Sequence, residues 1–277
     1  MLKKNLWNKN SIPFFLLIVT HMVLLFFLVI RKKQKNIWYV LLANMGLAYL
    51  FEYVVLNIFQ GYRYKPSILK NRYLDKLLGS ILSQGLYVPV SATFQTFLKL
   101  KWYWKIGFSL FYYIIEKMFI RLGVYQVRWW RPIYTFHLLI LYFYISDWLY
   151  SAFASKKRWA ILLVHYLSVE VIDVTVLFYY AVKRYIRFGR GMFHSWKEHF
   201  IIVPLYSMAL SFLTVKNSVR TGLTNRLLLV VCYLFIDLFL SYMGILKIKL
   251  RNLPSMIKKY VFMATISRFF YIKIFDK

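Results

Sequence analysis

Cysteine and acidic residues are scarce in this chain. One cysteine, Cys232, stands among 277 residues, so no intrachain disulfide forms and no cluster of thiolates holds a metal. Asp and Glu number 9 against 38 Lys and Arg, and charged residues of every kind reach only 17%. A soluble domain carries about a quarter charged residues, and no stretch here is polar enough to be one. Enzyme signatures are missing too: there is no phosphate-binding G-x-x-x-x-G-K-[ST], no G-x-G-x-x-G, no G-x-S-x-G and no H-E-x-x-H. No catalytic residue, cofactor or metal is therefore assigned from sequence. The nearest approach to a metal motif is "HSWKEH" (194–199), whose histidines are five apart. Helical zinc ligands share a face at spacings of three or four, so this reads as two interfacial histidines in a basic loop.

Apolar residues make up 61% of the chain and come in blocks of about twenty, the length that crosses a hydrocarbon core of about 30 Å. The expected fold is all-α: a polytopic transmembrane helix bundle of about eight spans over residues 1–252, near 12–30, 36–59, 77–98, 102–120, 132–154, 159–182, 200–215 and 226–246. Two of these are irregular. Residues 77–98 are rich in Ser, Thr, Gln and Gly and contain Pro89, which suits a buried helix packed through small residues or a re-entrant loop. Residues 200–215 are short and hold Pro204. The tail, 253–277, interrupts its apolar residues with Lys258, Lys259 and Arg268, the pattern of a basic amphipathic segment lying in the interface. The basic "MLKKNLWNKN" start precedes an apolar run with no small-x-small cleavage site, so it reads as an uncleaved first span.

The net charge of +29 is distributed in short clusters between apolar blocks, such as "RKKQK" (31–35) and "KRYIRFGRG" (183–191). Loop cations of this kind meet anionic lipid headgroups, each worth about 1 kcal/mol near the surface; lipid is the expected partner, and nucleic acid is not. Protein partners are not legible. With eight spans, one set of loops and both termini carry about 25 bases and the other set about 13, which places both termini in the cytoplasm. Trp38, Trp102, Trp104, Trp129, Trp130 and Trp159 stand at span ends, as an interfacial aromatic belt predicts. Three spans end alike, "IFQG" (58–61), "IRLG" (120–123) and "IRFG" (186–189): either each glycine closes a helix in a left-handed turn, or a hairpin has been duplicated.

The carboxylates carry most information. Glu52, Glu116, Asp147, Glu170, Asp173 and Asp237 fall within expected spans, and His21 falls near the middle of the first. An Asp at mid-span costs about 2.5–3.5 kcal/mol on insertion scales, so such a group faces protein or water. Glu116, beside Lys117 near a span end, is read as reaching the interface. Glu170 and Asp173, three apart in "VEVID", stack on one helix face. Two carboxylates so close in a low dielectric are expected to share one proton. That pair suits a proton or cation relay, a catalytic pair, or hydrogen bonding between spans. Asp147 and His165 flank the "SKKR" turn (155–158) at similar depth, about 11 Å by helix rise, and are expected to pair.

One stretch carries a resemblance. "YLFEYVVLNIFQGYRYKP" (49–66), "LDKLLGSILSQGLYVP" (74–89) and "IEKMFIRLGVYQVRWWRPIYT" (115–135) resemble a multi-pass membrane protein family common in Bacillus-like and Clostridium-like spore-forming bacteria. The resemblance covers about a third of the chain. It implies a bacterial cytoplasmic membrane protein, with a spore membrane as one setting, and brings no activity, cofactor or catalytic residues. The leading expectation is a non-enzymatic integral membrane protein. The alternatives are a small transporter or proton/ion pathway using Glu170, Asp173 and Asp237, and an intramembrane lipid-modifying enzyme whose basic loops hold headgroups.

Overall fold

Nine long helices carry the chain in a computed structural model that describes residues 6–191, 194–220 and 222–275. Residues 1–5 of the basic start and 276–277 of the tail fall outside the described residues. In order the helices are α1 Ile12–Lys32, α2 Asn36–Ile58, α3 Arg72–Leu98, α4 Trp102–Arg121, α5 Pro132–Ala154, α6 Arg158–Val182, α7 Trp196–Ser218, α8 Leu223–Tyr242 and α9 Leu253–Phe275. Four three-residue strands form two antiparallel pairs. The protein is an all-α helix bundle. Among the described residues six helices (α1, α2, α3, α6, α7 and α8) are long and apolar enough to cross a membrane. The two other expected spans are also helices, α4 of 20 residues and α5 of 23. Lys105, Glu116, Lys117 and Arg121 in α4, and a run of Tyr and Trp in α5, lower their apolar character.

Local chemistry explains the ends. Asn71 caps α3 by accepting from the backbone N–H of Tyr73 (2.9 Å) and Leu74 (3.1 Å). Ser195 and Glu198 form a reciprocal capping box on α7, which runs unbroken through Pro204 for 23 residues. The segment 77–98 belongs to α3, a mostly buried helix that widens to a π turn at Ser83–Tyr87; α2 ends in a second, Tyr53–Ile58. Such turns are frequent at functional sites.

The chain divides into two compact units, Met1–Ala160 and Ile161–Lys277. In the first unit, α2 leads into β1 (Tyr62–Tyr64), then α3 and α4, then β2 (Tyr125–Val127), then α5; α1 precedes this set. In the second, α6 leads into β3 (Ile186–Phe188), then α7 and α8, then β4 (Leu246–Ile248), then α9. Element order and register repeat: Tyr62 pairs Val127 and Tyr64 pairs Tyr125, as Ile186 pairs Ile248 and Phe188 pairs Leu246. The bounds repeat as well. Trp102–Arg121 recurs as Leu223–Tyr242, Tyr125–Val127 as Leu246–Ile248 and Pro132–Ala154 as Leu253–Phe275, each 121 residues further on.

Among the described residues helices run into strands at four junctions, before β1, β2, β3 and β4; "IFQG" and "IRLG" stand at the first two, whereas "IRFG" is β3 itself with the glycine after it. Gly123 does close its helix at φ +70°, and Gly244, its counterpart, has the same φ. At the other two junctions the left-handed residue is Gln60 or Arg184 instead of the glycine.

Two elements differ from the sequence expectation. The tail is not set apart from the bundle: α9 packs against α7 and α8 and buries Met256, Lys259, Tyr260, Met263, Ser267 and Phe270. Its lysine pattern looked interfacial because Lys259 has its counter-charge on another helix. "HSWKEH" is also internal. His199 is fully buried and its Nδ1 accepts from the Phe188 N–H at 2.9 Å, while the His194 ring nitrogens lie 3.0 Å from the carbonyls of Arg187 and Gly244. These histidines tie down the second strand pair.

Candidate functional site

The first unit contains a cavity of about 270 Å³ lined from α1 to α5 and by both strands. Its walls are mostly aromatic and aliphatic: Phe14, Tyr87, Tyr112 and Phe119 from helices, Tyr62, Tyr64 and Tyr125 from the strands, and Trp130 and Leu138 at or within α5. β1 reaches this position because Gly79 of α3 leaves room for it. A Cβ there would stand 2.4 Å from the Tyr64 Cβ, far inside contact distance. Burial, with the nearby Glu52 carboxylate, pushes the Tyr62 and Tyr64 hydroxyls well above their ordinary titration range, so both present O–H groups.

Two carboxylates belong to this chamber. Glu52 ends the α-helical part of α2 and is held by three donors: Tyr62 Oη, Ser80 Oγ at 2.6 Å and Gln84 Nε2 at 3.3 Å. The Lys76 ammonium acts on it as well. Glu116 of α4 is different. Its Oε2 accepts from Thr135 Oγ1, which itself accepts from Trp130 Nε1 at 2.9 Å. Its Oε1 is buried and makes no hydrogen bond of normal geometry; the Tyr125 hydroxyl acts on the carboxylate from nearby, and Glu116 lines the cavity. A small chamber with aromatic walls and one open carboxylate oxygen has the character of a binding site: mostly apolar surface with a few fixed polar groups.

The other sequence candidates are placed around or apart from it. His21 is buried in the first unit; Nδ1 donates to the Leu17 carbonyl at 2.7 Å, so Nε2 accepts from Tyr112 Oη at 2.8 Å. Ser91 lies 2.9 Å from the same hydroxyl. Asp147 is bound by Lys105 Nζ at 2.6 Å and by Thr96 Oγ1 at 2.6 Å. The partners differ from the expected Asp147–His165 pair: His165 Nε2 bonds Ser267 within the second unit, at 3.0 Å to the carbonyl and 3.1 Å to Oγ. Equal depth on consecutive helices does not fix which way each side chain is turned.

In the second unit, Asp173 meets Lys259 Nζ at 2.9 Å and accepts from Ser207 Oγ at 3.0 Å. Asp237 accepts from Tyr206 Oη at 2.5 Å and from Tyr260 Oη, and those hydroxyls are 2.9 Å apart. Glu170 is buried, with Oε2 lacking a hydrogen-bond partner. The pair expected to share a proton therefore has an ammonium on Asp173, a partner that lay in the segment read as an interfacial tail.

Sequence reasoning passed over Glu116, which is buried rather than interfacial, and Trp130, which turns inward from the aromatic belt. It passed over Lys259 as well. The signal that finds them is the 121-residue displacement. It aligns Glu52 with Asp173, Glu116 with Asp237, Tyr112 with Tyr233, Ser146 with Ser267 and Trp38 with Trp159.

This is a helical membrane protein with a mostly apolar chamber in its first unit. No protein family, curated protein or solved structure matches the chain.

Proposed function

We propose that the chain is a non-enzymatic integral protein of a bacterial cytoplasmic membrane that holds a small molecule in the chamber of its first unit. The observation that carries this reading is Glu116 Oε1, buried in an aromatic cavity with no hydrogen bond of normal geometry and only the Tyr125 hydroxyl acting on it from nearby. Leaving such an oxygen without a donor costs about 1–3 kcal/mol, more for a charged group, and a ligand in the chamber offsets that cost. Bond-making chemistry draws less support: among the described residues no set of nucleophile, base and oxyanion donors converges on the cavity. A relay through Glu170, Asp173 and Asp237 also draws less, because Lys259, Tyr206 and Tyr260 already hold the two aspartates.

The resemblance to the spore-former family supports the bacterial setting, with the basic loops against anionic headgroups. α9 repeats α5 in position and length, which supports nine crossings in place of eight. The N-terminus is then cytoplasmic and the C-terminus lies on the opposite side.

Accessibility of the chamber tests the function. In a Cys232→Ser background, Leu138→Cys should react with N-ethylmaleimide in the folded protein, and Trp replacing Ala48 on the cavity wall should slow that reaction at least tenfold. A thiol at residue 138 that reacts only after unfolding would end the ligand-holding reading.

A further inference from the structure

The second unit contains, built into its own chain, what the first unit's chamber lacks. Lys259 of α9 stands 121 residues after Leu138 of α5, at the same place in the repeated helix. Its ammonium is buried against Asp173, with the rings of Tyr206 and Tyr260 at 5.5 and 5.1 Å. Carboxylate plus aromatic faces is the chemistry that holds a desolvated cation. In the first unit the lysine is replaced by Leu138, which lines the cavity, and Glu52 and Glu116 occupy the places of Asp173 and Asp237.

The carboxylates have been kept and the internal cation has not. Glu52 is partly compensated by Lys76 and three donors. Glu116 has Thr135 on one oxygen and no hydrogen bond of normal geometry on the other, where the Tyr125 hydroxyl is nearby, and it is nine-tenths buried. Where Lys259 supplies an ammonium on a four-carbon stem, the first unit presents a cavity of about 270 Å³ with Trp130 and three strand tyrosines in its wall.

We propose that this chamber binds a small organic ammonium ion, with the N–H groups on Glu116 Oε1 and a short hydrocarbon chain against Leu138 and Phe119. The occupant replaces the lysine side chain of the second unit, with its charge on Glu116, the counterpart of Asp237, instead of on Glu52, the counterpart of Asp173, because Glu52 already accepts from three donors. This inference rests on the ligand-holding reading above and names the chemical class of the ligand.

Calorimetric titration of the purified full-length protein with n-butylammonium, and with 1-butanol as the uncharged counterpart, tests it. The amine should bind at least tenfold more tightly than the alcohol. Glu116→Gln should weaken amine binding at least tenfold. Leu138→Lys should abolish it by supplying the cation from within, while Leu138→Met retains it. If Leu138→Lys fails to fold, Glu116→Gln and the alcohol decide the question. Equal binding of amine and alcohol, or amine binding unchanged in Glu116→Gln, overturns the proposal. Absence of amine binding overturns it too. If Leu138→Cys is still alkylated in that case, the chamber reading survives and the ammonium assignment alone fails.

Discussion

Lys259 Nζ lies 2.9 Å from Asp173 Oδ1, and both side chains are almost wholly buried. Desolvating the two charges is costly, and removing one partner of such a pair leaves the other uncompensated at about 3–5 kcal/mol. Lys259→Met should therefore destabilise the second unit by about that amount. Lys259→Met combined with Asp173→Asn should recover most of the loss. Unfolding in mixed micelles reads both. A double variant as unstable as the single one would mean that Lys259 acts by packing instead of charge.

Asp147 and His165 should behave independently. Asp147 has Lys105 and Thr96, and His165 has Ser267. In a double-mutant cycle, Asp147→Asn and His165→Gln should add to within about 0.5 kcal/mol. Lys105→Met should couple to Asp147→Asn. The coupling should be weaker than at Lys259, because the Asp147 side chain is 37% exposed.

Gly79 should not tolerate a methyl group. Alanine would drive its Cβ into Tyr64, whose Cβ lies at 2.4 Å, and overpacking of this kind costs about 1–3 kcal/mol. Gly107 on α4 is the control, since nothing lies within 4 Å of a Cβ built there. Gly107→Ala should be neutral or stabilising by up to about 1 kcal/mol. Thermal unfolding of the two variants separates the effects, and Gly79→Ala should also reshape the chamber wall that Tyr64 forms.

Nine crossings require the ends of the chain to be on opposite sides. In a Cys232→Ser background, cysteines at Lys9 and Lys273 should be labelled by a membrane-impermeant maleimide from different faces of sealed vesicles. Labelling from one face would mean that α9 does not cross, despite matching α5 in length.

Much of the helical layout was legible because insertion in a bilayer demands apolar blocks of about twenty residues, and a block can be counted. The glycine-marked ends showed where two helices stop, at "IFQG" and "IRLG", while "IRFG" proved to be a strand. Rotation about each helix axis did not follow. α2, α5 and α7 are apolar on most faces, so no polar stripe indicates which way Asn44, Asp147 or Ser207 is turned. Hydrophobic periodicity therefore placed Asp147 at the depth of His165, whereas packing gave it Lys105.

The tail shows the same division. Its lysines suggested the interface because the sequence reports a charge, but not a partner about 86 residues earlier in the chain. The repeat is written in the sequence at a displacement of 121 residues, yet apolar substitutions in lipid-facing and packed positions obscure it, since many apolar side chains satisfy those positions equally. The sequence by itself determined the helices and their approximate lengths, because apolar blocks can be counted. Only tertiary structure decided that one set of acids meets a lysine of its own chain while Glu116 faces a cavity, because that outcome depends on which helix faces are brought together.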